Sequence, residues 1–410
     1  MPLGLHAADL FQINAISPGQ SVTVGGSNLI DLVNNAIDSK DQFAKFQNKQ
    51  TTLSLNYAGV KDAIVFTVNA ANTQATLKLP SSSLQTFTGT SRDDLQTQIE
   101  DFLKKEGSAQ YSELLKELAN KTPVAVTDGN PNSATAKVAL SLFRNYGAMT
   151  APASSSIERS NPSDYELVGD IGAFSAGDYK GNTYFVPITM DIRLSDNIRL
   201  GIDIPLSYST VDSAKVFDAG LTLSLPVRII NSSAEASPPS VDAQTGRTVN
   251  VQPTENPQPW TWQITPTVGA VAAGSVEFLA GGVIGYGSLT NMVAYNFPSC
   301  TVSMGNQISF FKGQSISFGD YTLDSGTSQQ LLKNGFQVSI PIGERYLVDV
   351  YGNYSNYLQD AAVSNWFTVG IDAGVRLFGS SSTMLKVGYY SDLGKDYTSY
   401  VGRVGFGWRF

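Results

Sequence analysis

The sequence predicts a C-terminal transmembrane antiparallel β-barrel of about 12–14 strands with an N-terminal α+β domain in front of it. Three observations predict it. From Tyr165 onward apolar and polar residues alternate in runs of about 10 to 14. Strands of soluble sheets run to about five or six residues, and the longer runs suit tilted strands crossing a bilayer. The last stretch sets Tyr400, Val404, Phe406, Trp408 and Phe410 on one face against Arg403, Gly405, Gly407 and Arg409 on the other. Charged residues make up only 15% of the chain, well under the usual quarter or so.

Residues 1–7 read as a signal-peptide remnant, with Ala7 before the cut and Ala8 after it. Residues 8–150 read as an α+β domain placed in the periplasm. Ser27 is positioned to cap a helix carrying Leu29, Ile30, Val33, Ile37, Phe43 and Phe46. Three alternating strands follow, around Leu53–Tyr57, Ile64–Val68 and Ala75–Leu79, joined by hairpin-sized turns. Ser91 and Asp94 form a capping box ahead of Leu95, Ile99, Phe102 and Leu103. Asp128–Asn132 is turn chemistry; it lacks the ligand series and closing Glu of a calcium loop. Ala134–Tyr146 reads as a last helix, and residues 151–164 as a Ser/Pro/Ala linker.

The barrel is expected over residues 165–410, with strands near 165, 184, 198, 217, 260, 275, 335, 346, 366, 383 and 399. Thr290–Leu323 holds either one hairpin or three short strands; even parity leaves 12 or 14, and 14 is favoured. A long Pro/Ser/Asn-rich loop, residues 231–259, interrupts the series. Short turns at Ser195–Asn197 and Gly379–Ser382 are expected on the periplasmic side, and parity then puts the long loop there too. Inside it, Thr248–Gln252 is β-prone and is expected to pair with an open edge of the Thr52–Leu79 sheet.

The ending resembles the terminal strand of Gram-negative outer-membrane β-barrels. That resemblance implies an assembly signal at Tyr400, Phe406, Trp408 and Phe410, read by the barrel-assembly machinery, and outer-membrane lipid around the apolar face.

Function classes narrow by composition. A net charge of −8 argues against nucleic acid as a partner. There is one Cys, Cys300, and one His, His6, which cleavage after Ala7 removes. Histidine-dependent catalysis and His–metal chemistry go with it, so no enzyme, metal or cofactor is expected. The candidate functional residues are charges on the inward face: Asp170, Asp191, Arg193, Arg199, Asp203, Asp218, Arg228, Glu277, Asp349, Asp372, Arg376, Lys386, Arg403 and Arg409. Such charges either select a solute, as charged rings do in pores, or fill the lumen as ion pairs. The leading expectation is a channel or passive transporter for an unidentified small solute. The alternatives are a secretion-type barrel resembling autotransporters, with Ala134–Tyr146 as the pore-threading helix and the front domain as passenger, and a plugged structural or adhesive surface protein.

Overall fold

The computed structural model describes residues 9–26, 32, 44–46, 48–79, 84–105, 116–118, 120–139, 163–195, 197–230, 240–241, 248–249, 260–275, 277–278, 280–314, 316–318, 321–323, 325–343, 345–377 and 383–409. The expected signal remnant, most of the helix after Ser27, the 151–162 part of the linker and Phe410 lie outside them.

The front domain is built on a six-stranded antiparallel sheet, β1 (Phe11–Ser17), β2 (Gln20–Gly26), β3 (Thr51–Tyr57), β4 (Val60–Val68), β5 (Gln74–Lys78) and β6 (Gln85–Thr88), in the order β2-β1-β3-β4-β5-β6. The expected three-stranded meander is its middle. The β3–β4 turn is tight, with Ala58 at φ 45° and Gly59 at φ 88°. Half of the expected capping box forms at the helix Arg92–Lys105: Asp94 N donates to Ser91 Oγ at 3.1 Å, while the Asp94 carboxylate accepts from Thr90 N, one residue before the cap, at 2.7 Å. The bonds from Thr90 and Gln98 hold the exposed Asp94 carboxyl below its usual range.

The barrel closes with twelve strands. They are β7 (Ser163–Ala176), β8 (Tyr179–Arg193), β9 (Arg199–Val211), β10 (Ala214–Ser224) continued by β11 (Val227–Ile230), then β14 (Trp260–Ser275), β15 (Ala280–Asn296), β16 (Thr301–Gln314), β19 (Ser328–Ile342), β20 (Tyr346–Tyr357), β21 (Asn365–Arg376), β22 (Thr383–Gly394) and β23 (Tyr397–Arg409). The last strand closes on the first, Arg403 opposite Asp170 and Trp408 opposite Tyr165. β10 and β11 are one wall strand, since both keep the same register against β14 as far as Arg228; the ladder is interrupted at Pro226, which has no N–H to give it.

Twelve strands correct the favoured count of fourteen. β15 is 17 residues long and includes Val293 and Tyr295, so these are not a separate strand. β17 (Ile316–Phe318) and β18 (Tyr321–Leu323) pair with each other and stay outside the wall.

The outward series is apolar: Leu167, Ile188, Leu223, Val350, Val369, Ile371, Val387, Val404 and Phe406 are all exposed. Aromatic residues edge it at both ends. Tyr165 stacks on Trp408 with centroids 5.6 Å apart, and Trp260 meets Tyr295 at 4.8 Å, near one rim. Tyr184, Tyr208 and Phe217 line up near the other. No helix among the described residues is long and apolar enough to cross a membrane. An exposed apolar band between aromatic girdles on a closed sheet is stable against hydrocarbon and not against water.

The two rims differ. Ser163 and Arg409 lie at one, with the 194–198, 297–300 and 343–345 turns. The front domain docks on the other. Phe11 and Tyr57 pack on Phe278 of the β14–β15 turn at 5.8 and 6.1 Å, and Tyr57 Oη donates to the Phe278 carbonyl at 2.5 Å. One apolar core runs from this sheet into the barrel mouth. The strand ends that flank the long loop, Ile230 and Trp260, are at the rim of the termini, opposite the front domain. The expected pairing with the front sheet is not made at Thr248 and Val249, and the rest of Thr248–Gln252 lies outside the described residues. In the loop β13 (Thr248–Val249) pairs instead with β12 (Ser240–Val241), while β1 and β6 fill the edges that a bare meander would leave open.

Candidate functional site

The barrel interior is lined with polar and charged residues, and among the described residues one segment enters its mouth. The plug is Thr122–Ala139, which the sequence assigned to the front domain. Thr122, Asn130, Ser133, Thr135 and Lys137 are buried despite being polar; the barrel supplies partners to Ser133, Thr135 and Lys137, while Asn130 bonds within the plug, donating to the Ala125 carbonyl at 2.7 Å and accepting from Asn132 N at 2.9 Å. Val363 N, in the β20–β21 turn, donates to the Gly129 carbonyl at 3.0 Å. Tyr357 Oη sits 3.2 Å from Ser133 Oγ and 2.9 Å from Thr135 Oγ1. The short helix Ala134–Val138 follows within the lumen. Lys137 Nζ donates to Ser207 Oγ and to Asp218 Oδ2, each at 2.9 Å, and Ser207 Oγ donates to the same carboxylate. Lys333 Nζ donates to the Ala139 carbonyl at 2.5 Å. Asp128, beside the mouth and outside the spanning strands, is fully buried; loss of water pushes its carboxyl up to about 7, a shift that Lys116 opposes.

The expected inward charges fall into distinct groups. Arg403 is the centre of one. Its Nε and Nη2 donate to the two carboxylate oxygens of Asp170 at 2.9 and 3.1 Å, a bidentate pair. Its Nη1 lies 3.7 Å from Asp372 and 3.4 Å from Tyr351 Oη, and its guanidinium covers the Tyr390 ring at 4.9 Å. Lys386 pairs with Asp349 at 3.6 Å, and Ser339 Oγ donates to Asp349 at 2.5 Å. Across the lumen Asp203 accepts from Thr189 at 2.7 Å and Thr222 at 3.3 Å. Asp218 holds the plug. Asp191 is buried; Arg193 stands opposite Arg199, and Arg228 is next in the ladder after the Ile198–Val227 bridge, near the rim of the termini. Arg376 N takes the Arg345 carbonyl at that rim.

One assignment is corrected. Glu277 is not on a strand face: it lies in the β14–β15 turn, where its carboxylate accepts from Ser275 Oγ at 3.3 Å. The backbone of Arg409 pairs with Asp164. Of the expected assembly signal, Tyr400 and Phe406 face outward, and Trp408 stacks on Tyr165.

The reading of the sequence missed four inward residues. Asp392 accepts from Thr368 at 2.6 Å and Ser399 at 2.7 Å. Lys333 was hidden because Leu331 and Leu332 adjoin and blur the alternation, although Gln329, Lys333, Gln337 and Ser339 do keep step. Tyr357 lies at a strand end. Lys137 carried no signal at all, because its partner is eighty-one residues away.

The fold is a closed antiparallel β-barrel with an apolar outer wall and a polar, charged interior, the class of a membrane-spanning β-barrel. No protein-family model and no curated protein matches the chain. Among solved structures it is similar to the translocator domain of the autotransporter NalP from Neisseria meningitidis, at 13% identity and a TM-score of 0.41, covering 67% of this chain and 97% of that one. It is also similar to the β domain of the Bordetella autotransporter BrkA, at 10% identity and 0.39, covering 61% and 100%. An outer-membrane channel from Pseudomonas putida F1 is matched at 10% identity and 0.41, covering 61% and 96%.

Proposed function

We propose that the chain is a secretion-type barrel of a Gram-negative outer membrane, whose front domain is carried through its own barrel and held on the far rim. One observation supports the reading above others. Lys137 and Ala139 sit inside the lumen, bonded to β10 and β19, while the sheet that precedes them docks on the rim opposite Ser163. Even strand parity keeps Ser163 and Arg409 on one rim, and the resemblance of the last strand to an assembly signal favours the periplasm for it. The front domain then faces the cell surface, in place of the periplasm expected from the sequence. The inward charges act here as a wall of ion pairs and as anchors for the threaded segment. The reading needs no catalytic residue and no cofactor; its partners are outer-membrane lipid and the barrel-assembly machinery.

A channel for a small solute is the second reading. The Arg403, Asp170 and Lys386 group favours it, because Arg403 pairs with Asp170 and Lys386 with Asp349 across the wall, and it requires the plug to leave the mouth. Protease added to intact cells tests the first reading. Cleavage in the front domain without loss of the folded barrel is expected. Full protection, with cleavage only after the outer membrane is breached, overturns it.

A further inference from the structure

A polar row interrupts the apolar outer wall. Asn291 of β15, Asn306 of β16 and Asn334 of β19 are register partners on three adjacent strands, Asn291 opposite Asn306 and Asn306 opposite Asn334. All three stand at outward positions, and Asn306 and Asn334 are exposed. An apolar row runs on each side. Leu289, Ile308 and Leu332 lie toward the front domain, and Val293, Met304 and Phe336 toward the rim of the termini. Met304 and Phe336 are more than half exposed.

The row lies within the band, not at its edge. Asn291 is separated from Tyr295, in the aromatic girdle near the rim of the termini, by about 13 Å of strand. A lysine at that depth reaches the headgroups along its stem; asparagine, with one methylene, does not. Trp262 Nε1 donates to Asn291 Oδ1 at 2.7 Å. The side chains of Asn306 and Asn334 meet no hydrogen-bond partner among the described residues. Each carboxamide carries two N–H donors and an acceptor oxygen, and in hydrocarbon these are costly until something polar covers them. A copy of the same face is a fitting cover. A carboxamide donates and accepts at once, so two of them related by a twofold axis exchange two hydrogen bonds. No Lys, Arg, Asp or Glu stands in the three rows to select a partner of opposite charge. Between walls in lipid, apolar burial supplies little, and hydrogen bonds with close packing decide association.

We propose that two copies of the chain associate in the membrane through the β15–β16–β19 face, about a twofold axis along the membrane normal. The axis passes beside Asn306, the middle of the row. Asn306 of each copy exchanges hydrogen bonds with Asn306 of the other, and Met304 and Phe336 close around them against lipid. Both copies keep their front domains on the same rim, so the pairing holds whichever side of the membrane that rim faces.

The test uses the full chain in phosphatidylcholine vesicles, labelled at its single cysteine. Cys300 lies in the turn between β15 and β16, at the end of two of the three strands. Energy transfer between donor- and acceptor-labelled copies, followed as the lipid-to-protein ratio is raised, gives the association constant. Asn306→Leu should weaken association about tenfold, the worth of two hydrogen bonds within a membrane. Adding Asn334→Leu should weaken it further. Asn306→Gln keeps the carboxamide and should retain most of the association, and Ile371→Val, on β21, should leave it unchanged. Heat-modifiable mobility on gels confirms that each variant is folded. Equal energy transfer in wild type and the double leucine variant overturns the proposal. So does a wild type that stays monomeric at every ratio, which would leave the row to a different membrane protein or to another segment of this chain.

Discussion

Lys137 Nζ lies 2.9 Å from Asp218 Oδ2, and both side chains are almost wholly buried, at 6% and 4% exposed. One belongs to a segment that the sequence reads as part of a separate domain, the other to the barrel wall. Their pairing is what makes the plug a part of the barrel. A buried pair of this kind is a weak source of net stability, because both ions give up water. It is a strong source of specificity, because losing either partner strands the other.

Removing the cation alone should therefore be costly. Lys137→Ala leaves the Asp218 carboxylate uncompensated, and about 3–5 kcal/mol of plug docking should be lost. Planar-bilayer recordings check this: the variant should conduct in discrete steps, while the wild type stays closed. Lys137→Met combined with Asp218→Leu should return most of the closure, since an apolar pair removes the stranded charge. Equal conductance in wild type and Lys137→Ala would mean that the plug is not held here.

The lipid-facing reading predicts a depth effect. Ile371 is at the middle of β21 and half exposed; Tyr346 is equally exposed at the start of β20, by the rim. Ile371→Arg should cost about 2–4 kcal/mol in a bilayer and Tyr346→Arg about 0–1. Urea titration of folding into lipid vesicles measures both. Equal costs would mean that the band is not in hydrocarbon. Ser207 is a poor inward control, although its alternation recommends it, because it bonds both Lys137 and Asp218.

The barrel was legible in the sequence because each spanning strand is its own signal. β21 alternates Phe367, Val369, Ile371 and Ala373 against Thr368 and Asp372, and the structure keeps that division. Signals that depend on distant partners were not legible. β1 and β2 went unread: β2 is Gln, Ser, Thr and Gly around two valines, and it is a strand because β1 pairs with it along its whole length. The plug is built of Thr, Ala, Ser, Gly and Asn, which locally read as turn and helix. Tyr357, Asp218, Ser207, Lys333 and Val363, far along the chain, turn those residues into a buried segment. Glu277 failed for a different reason: period two continues across a tight turn on paper but not in space.

The seam between first and last strands should depend on its aromatic pair. Trp408 stacks on Tyr165 with planes 12° apart, where β23 meets β7 at the rim of the termini. Trp408→Ala should lose about 0.5–1.5 kcal/mol beyond the lost area. The folded fraction on heat-modifiability gels should fall for Trp408→Ala and be largely restored by Trp408→Phe. An unchanged folded fraction for the alanine variant would remove the pair from the closure of the barrel.

Plug docking should also depend on pH, with a sign fixed by Asp128. Its carboxyl has an ordinary value of 3.8 when water reaches it, and burial at the mouth raises that to about 7. A group whose value is raised on docking favours the docked state while it is protonated in both states. Docking is therefore strongest below about pH 4. It weakens as pH rises from there, because the released Asp128 ionises freely while the docked one must give up water to do so. Above about pH 7 the docked carboxyl is ionised too, and the dependence ends. The open fraction in bilayer recordings should accordingly be larger at pH 8 than at pH 4.5. Asp128→Asn carries no charge in either state and should flatten the profile over that window. A profile that is equally steep in the Asn variant would assign the effect to another group.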